Sequence, residues 1–416
     1  MDKKKYYCAS CLHVAKEKKL KIESAEITPE TPLPVFCSKC GQEIVEAEDM
    51  MNTNNEVELV KSALINKKLE VVCFTAPSLR ASLGEAFGLT ADVQGKMVTA
   101  LRMLGFDKVY DMNVAADFTT VEEAHEFKKR LDENKDLPML TSCCPGWVSF
   151  VEKMYPEFKK HLSSSKSPQQ MFGALINNIY TKSENKKSTD LFVVSIVPCM
   201  LKKLERIQEG INTAKGYDVD ACLTTKELAG LIKERKINFS KLKNSEFDEF
   251  FGEATGAGVI FGNTGGVMNA VLGSIDCENQ NMQIQKLNTD LSSGVGGLRR
   301  GEIIIGNRPI KIAIVSGLNN AKTVLEELKT DLHKYDFVEV MSCVGGCVGG
   351  PGQIDISVGT DRIMAVSKRA NVLLSAAKHK KIKRSIDNPA LQHIYDQYLG
   401  GIGGKEAKRL LHRKFK

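Results

Sequence analysis

No apolar run among the 416 residues reaches the eighteen or so that a membrane span requires. The N-terminal MDKKKYYCASC is basic but leads into no apolar signal-peptide core. Both absences point to the cytoplasm. Aromatics make up only 6%, with a single Trp, and none interleaves with the basic clusters KHKKIKR (378–384) and KEAKRLLHRKFK (405–416), which argues against a nucleic-acid partner. Within a net charge of only +7, those clusters read as solvated helix faces or as a docking surface for an acidic partner. No internal repeat or low-complexity tract occurs. The Gly-rich GNTGGVMN and GGIGGKEA are not phosphate loops: Lys405 is followed by Glu406, with no Ser or Thr for Mg²⁺, and no dinucleotide fingerprint is found.

Cysteine is plentiful instead. Twelve cysteines in a reducing compartment argue for metal ligation or catalysis rather than disulfides. Cys8 and Cys11 (CASC) and Cys37 and Cys40 (CSKCG) form two CxxC knuckles, so residues 1–48 read as a small metal module. Four thiolates so arranged hold one zinc as a structural ribbon or one iron as a rubredoxin-like centre. Zinc is preferred, because a unit with little core needs a staple and the usual rubredoxin prolines are missing from the knuckles. Polar DMMNTNNE (49–56) reads as a linker.

From residue 57 the pattern is α/β. VELVKSALIN reads as a helix, LEVVCFTA as a buried strand, and SLRASLGEAFG as a helix opened by Ser78. GKMVTALRMLGF is amphipathic and KVYDMNV reads as a strand. DFTTVEEAHEFKKRL reads as a helix starting near Thr119–Thr120, where a Thr cap precedes Glu122 and Glu123. LFVVSIVP, GVIFG, IKIAIVSG and FVEVMSC are further strand-like runs. Such alternation implies twisted sheets flanked by helices.

Three loops after strand-like runs carry cysteines: TSCCPGW (141–147), VPCMLKKLE (197–205) and EVMSCVGGCVGGPGQ (339–353). They offer five thiols: Cys143, Cys144, Cys199, Cys343 and Cys347. Four suit a cubane iron–sulfur cluster, which leaves one over. A radical-SAM loop is excluded, because its third cysteine would fall at Gly350. Cys73, Cys222 and Cys277 read as plain core or surface thiols.

TSCCPGW, the PCxxKxxE of Pro198–Glu205 and the EVMxCxGGC loop resemble the three signature motifs of the [FeFe]-hydrogenase catalytic domain. TAPSLRASLGEAFG, FTTVEEAHEF, SKSPQQMFGA, FGEATGAGVIFGNTGGVMNA and the closing GGKEAKRLLH are also similar to that family, so the likeness covers 57–416. The segment from about 385 to 416 resembles its small-subunit region. The resemblance implies a two-lobed α/β domain with the active-site H-cluster in the cleft. It implies a [4Fe–4S] cubane on Cys144, Cys199, Cys343 and Cys347. Through Cys347 this joins a two-iron subcluster carrying CO, cyanide and an azadithiolate, which dedicated maturation enzymes supply. Lys202 matches a lysine that bonds one cyanide, and Ala76, Pro77 and Ser78 match the segment around the other. Gln169, Met341 and Phe261 match pocket-lining residues.

By the same resemblance, Cys143 is the proton-carrying thiol, backed by a relay of Glu123, Ser163, Glu126 and Arg130. The implied activity is 2H⁺ + 2e⁻ ⇌ H₂, with a ferredoxin-like electron carrier. The rivals are a low-turnover hydrogen sensor and a non-enzymatic relative serving iron–sulfur assembly. An intact Cys143 and relay, and no fused sensor domain, argue against the sensor. Val197, Val344 and Ser342 depart from the family's usual methionine, proline and alanine, next to the cofactor. The ferredoxin-type cysteine arrays of many relatives are absent ahead of the catalytic domain.

Overall fold

The structure, a computed structural model, describes residues 56–213, 216–275, 297–305 and 307–415. Ahead of these, short backbone strands are described, among them Tyr6–Cys8 paired antiparallel with Val14–Ala15 and with Glu43–Glu46. The thiols of Cys8, Cys11, Cys37 and Cys40, and with them the expected metal module, lie outside the described residues, as does Cys277.

The α/β alternation builds two four-stranded sheets. We number the strands β1 (Glu70–Thr75), β2 (Lys108–Asp111), β3 (Met139–Leu140), β4 (Leu191–Val197), β5 (Ala221–Thr224), β6 (Gly297–Ile305), β7 (Arg308–Ser316) and β8 (Phe337–Met341). The first sheet runs β5–β4–β1–β2, parallel throughout. The second runs β6–β7–β8–β3, with β6 and β7 antiparallel and the other pairs parallel. Central strands such as LFVVSIV and FVEVM are nearly continuous apolar runs because helices cover both of their faces. The one charge in β8, Glu339, is fully buried; its carboxylate accepts from Gly265 N–H at 2.5 Å and Met268 N–H at 2.7 Å. Burial nevertheless pushes it up to about 7. Cys73 and Cys222 are buried core thiols, as expected.

A long helix, α1 (Met112–Glu133), packs against the helix of Pro168–Leu175 and against that of Gly266–Ile275. Its start corrects two expectations. The strand KVYDMNV stops at Asp111, whose carboxylate caps the helix by accepting from Asn113 N–H at 3.0 Å. Thr119 and Thr120 lie inside the helix, not at its start. Their hydroxyls bond back to the carbonyls of Ala115 and Ala116 at 3.1 and 2.8 Å, which satisfies them without ending the helix. The strand expected at GVIFG is also overturned: Gly256–Ile260 is a short helix whose cap, Thr255 Oγ1, accepts from Gly258 N–H. A five-residue apolar run has no period that separates the two states.

In parallel sheets the loops that leave the strand carboxyl ends gather at one edge, where α/β proteins build their sites. Here β1, β2 and β4 of one sheet and β3 and β8 of the other deliver their loops to a single cavity.

Candidate functional site

The cavity is lined by all five loop thiols. Ala76 and Pro77 follow β1, Met112 follows β2, and Cys143 and Cys144 follow β3. Pro198 and Cys199 follow β4, while Ser342, Cys343 and Cys347 follow β8. Cys144, Cys199, Cys343 and Cys347 are half-buried, whereas Cys143 is buried, with 8% exposure. Burial and the neighbouring thiols push Cys199 up to about 11 and Cys347 up to about 12. A dry cluster of thiols disfavours its own thiolates unless a cation joins it.

Close packing holds these loops. A Cβ at Gly346, which has φ +88°, would lie 2.7 Å from Thr264 N, and one at Gly350 would lie 2.4 Å from Pro198 O. A side chain at Gly346 would push the Cys343–Cys347 loop off the 262–264 segment, and one at Gly350 would push the chain off the Cys199 loop. Buried Arg369 donates to Val348 O at 3.2 Å and Ile354 O at 2.7 Å, and pairs with Glu85 at 2.5 Å. Gln353 Nε2 donates to Cys347 O at 3.3 Å and Ser78 O at 3.4 Å. Both residues escaped the sequence reading; the only sign of Gln353 was its place at the end of the glycine loop.

Lys202 lines the cavity, with Nζ 2.8 Å from Glu205 Oε2 and 3.0 Å from Cys143 O. Burial works against its charge, but Glu205 and the adjacent thiols raise its pKa above the usual lysine value. Gln169 also lines the cavity, although its amide is engaged by Lys202 O at 3.0 Å and Ser195 Oγ at 2.7 Å. Met341 and Phe261 complete the apolar wall. Ser78 is not on the lining; it stands beside Pro77, with its Oγ buried and unpartnered. Ser342 Oγ accepts from Cys144 Sγ–H at 3.2 Å.

Behind Cys143 lies Glu123, buried, with no hydrogen-bond partner on either carboxyl oxygen. Burial, the main cause, pushes its pKa up to about 8. Ser163 Oγ donates to Glu126 Oε2 at 3.2 Å, and Glu126 Oε1 meets Arg130 Nη2 at 2.6 Å. Glu123, Glu126 and Arg130 share one face of α1, as their spacing requires. Ser164, which the sequence reading did not single out, also donates to Glu126 Oε2, at 2.9 Å.

The donor set suits an iron–sulfur group. Among the described residues no three Cys, His, Asp or Glu side chains converge on a position for a single metal ion. The four half-buried thiols instead ring a cavity, as a polynuclear cluster requires.

The model for the C-terminal domain of the iron-only hydrogenase large chain matches residues 69–351, and that for the small subunit of iron hydrogenase matches 363–416. The chain belongs to the iron-only hydrogenase family. Iron hydrogenase 1 of Clostridium pasteurianum is 39% identical over 412 residues, covering 93% of this chain and 72% of that protein. A variant of the [FeFe]-hydrogenase of Chlamydomonas reinhardtii superposes with a TM-score of 0.73 at 30% identity, covering 86% of this chain and 98% of that one. More distant similarity, 27% over 89% of this chain and 94% of the relative, is to a cytosolic Fe–S cluster assembly factor of Danio rerio. Among the described residues no helix is long and apolar enough to cross a membrane.

Proposed function

We propose that the protein is an [FeFe]-hydrogenase that interconverts protons and electrons with H₂ and trades electrons with a ferredoxin-like carrier. The observation that carries this reading is the surplus thiol: Cys143 lines the cavity beside a complete set of four ligand candidates and is backed by a buried carboxyl. Cys144, Cys199, Cys343 and Cys347 would hold the H-cluster. When bound, that group supplies the open iron site and electron store that the reaction needs.

The chain's own residues do the rest. Lys202 offers a buried ammonium to an anionic diatomic ligand, with Glu205 keeping it charged. Cys143, on the cavity wall, would hold a proton at Sγ for the group bound there. Glu123, with a pKa of about 8, is protonated at neutral pH and close enough to that pH to exchange. Ser163 and Glu126 carry the proton on, and Arg130 fixes Glu126. The apolar wall of Met341 and Phe261 excludes water.

The test is an infrared spectrum of protein produced together with the maturation enzymes. Terminal CO and cyanide bands are expected. Their absence would sink the hydrogenase reading and leave the iron–sulfur assembly role that the more distant similarity favours. Normal bands with negligible turnover would point to a hydrogen sensor instead. The basic segments 378–384 and 405–416 support an acidic carrier, so the KM for ferredoxin should rise with ionic strength. We assign the four N-terminal cysteines to one zinc or iron, which metal analysis of the purified protein would distinguish.

A further inference from the structure

Glu126 has more partners than a relay ending at Arg130 needs. All the Arg130 contacts are positional: Nη1 donates to Asp136 O and His161 O, both at 3.0 Å, and Nη2 donates to Leu162 O at 2.8 Å as well as to Glu126. A guanidinium does not release its proton in a protein. Arg130 therefore clamps Glu126 and the 161–164 loop, and another group must exchange protons with water.

A second line of hydrogen bonds leaves Glu126 sideways. Ser164 Oγ, 2.9 Å from Glu126 Oε2, is 2.7 Å from His412 Nδ1. His412 Nε2 is 2.8 Å from Glu122 Oε2. Glu122 in turn accepts from Tyr395 Oη–H at 2.6 Å and from Gly403 N–H at 3.2 Å. Burial alone would raise the Glu122 pKa, but its bonds to His412, Tyr395 and Gly403 outweigh that and lower it. Glu122 is thus a fixed anion that orients the ring. The His412 side chain is 13% exposed, against 0% for Glu122. Of the other charged or titratable groups nearby, Arg413 pairs with Glu152 at 3.5 Å, Arg409 with Glu406 at 2.8 Å and Lys166 with Asp218 at 3.8 Å, while exposed His125 packs on Gly403.

We infer that His412 is the port of the relay, exchanging protons between water and Glu126 through Ser164. This rests on the hydrogenase reading. Inward, Nδ1–H passes to Ser164 Oγ as the serine's own proton passes to Glu126 Oε2. Imidazolium and carboxylate become imidazole and carboxylic acid, and hydronium or a buffer acid at the exposed edge of the ring then returns a proton to Nδ1 when its bond to Ser164 opens. Imidazole has two ring nitrogens, so it can hold one partner while it passes a proton to another. The port also gives the C-terminal segment, which supplies His412, a part in catalysis.

His412→Gln keeps a hydrogen-bonding group and removes the ring that relays the proton. In loaded enzyme whose CO and cyanide bands are unchanged, turnover at low buffer concentration should fall about tenfold, and added imidazole should restore it. Ser164→Ala should lower turnover similarly, and it carries the test if His412→Gln fails to fold. Wild-type rate and pH profile in both variants, or a loss that imidazole does not rescue, would overturn the port and leave His412 a structural role. Missing bands in the unaltered protein would instead overturn the hydrogenase reading on which it rests.

Discussion

Asp117 and Glu123 lie six residues apart on α1 and are equally buried, yet their surroundings differ sharply. Asp117 accepts from Thr255 N–H at 2.9 Å, Ser385 Oγ at 2.7 Å and Asn388 Nδ2 at 3.3 Å, joining the helix to two distant segments. Glu123 lies close enough to Cys143 to act on its charge, with neither carboxyl oxygen hydrogen-bonded. A buried polar group without a partner lowers stability, so its presence calls for an explanation other than folding. The comparison separates two uses of the same side-chain chemistry: one carboxylate ties the structure together, and the other, without a partner, is the one we propose takes and releases a proton.

Changes on the cavity side should give the largest effects, in turnover. Cys143→Ala should cut H₂ turnover by roughly 10²–10⁴-fold while the CO and cyanide bands persist. Near-full activity would show that Cys143 is not the donor. Glu123→Gln should lower turnover about tenfold or more with no loss of stability, since no hydrogen bond is broken. Asp117→Asn should do the reverse. It should cost about 2–3 kcal/mol by urea denaturation and leave turnover per loaded site close to normal. A reversed pattern between these two variants would dissolve the contrast.

Their pH dependence sharpens it further. Glu123 goes from an ordinary value of 4.5 to about 8 on folding. The folded state then binds the proton more tightly, so stability falls as pH rises from about 4.5 to about 8. Glu339, at about 7, and Asp117, at about 6, act in the same direction over narrower windows. Glu122 acts oppositely: its pKa is lowered, so its contribution is present above 4.5 and lost on acidification. Glu123→Gln should flatten the decline most, which melting curves across pH 5–9 would reveal; an unchanged slope would mean that Glu123 is ionised when folded. The smallest expected effect is electronic. In loaded protein the Ser342 hydroxyl can donate to the Cys144 sulfur, so Ser342→Ala should lower the cluster potential. Spectroelectrochemistry would detect the shift, and an unmoved potential would exclude the bond.

Much of this site was legible because it is written locally. The cysteine loops follow apolar runs, and parallel strands bring such loops to one edge whatever the intervening sequence. The Glu123–Glu126–Arg130 face follows from helical spacing, whichever residue begins the helix. The start of α1 was misread because Thr-Thr followed by glutamates imitates a cap, whereas the helix was already running from Met112. Nothing near His412 marks it as a neighbour of Ser164, 248 residues away.

By itself, then, the chain's order of residues determined the α/β alternation, the five loop thiols and the helix face behind them, because strand and helix periods depend only on near neighbours. The packing of α1 decided which carboxyl is tied and which is free, that Arg130 is a clamp, and that His412 closes on Ser164. Burial and partnership are properties of pairs brought together across the fold, and no local pattern encodes them.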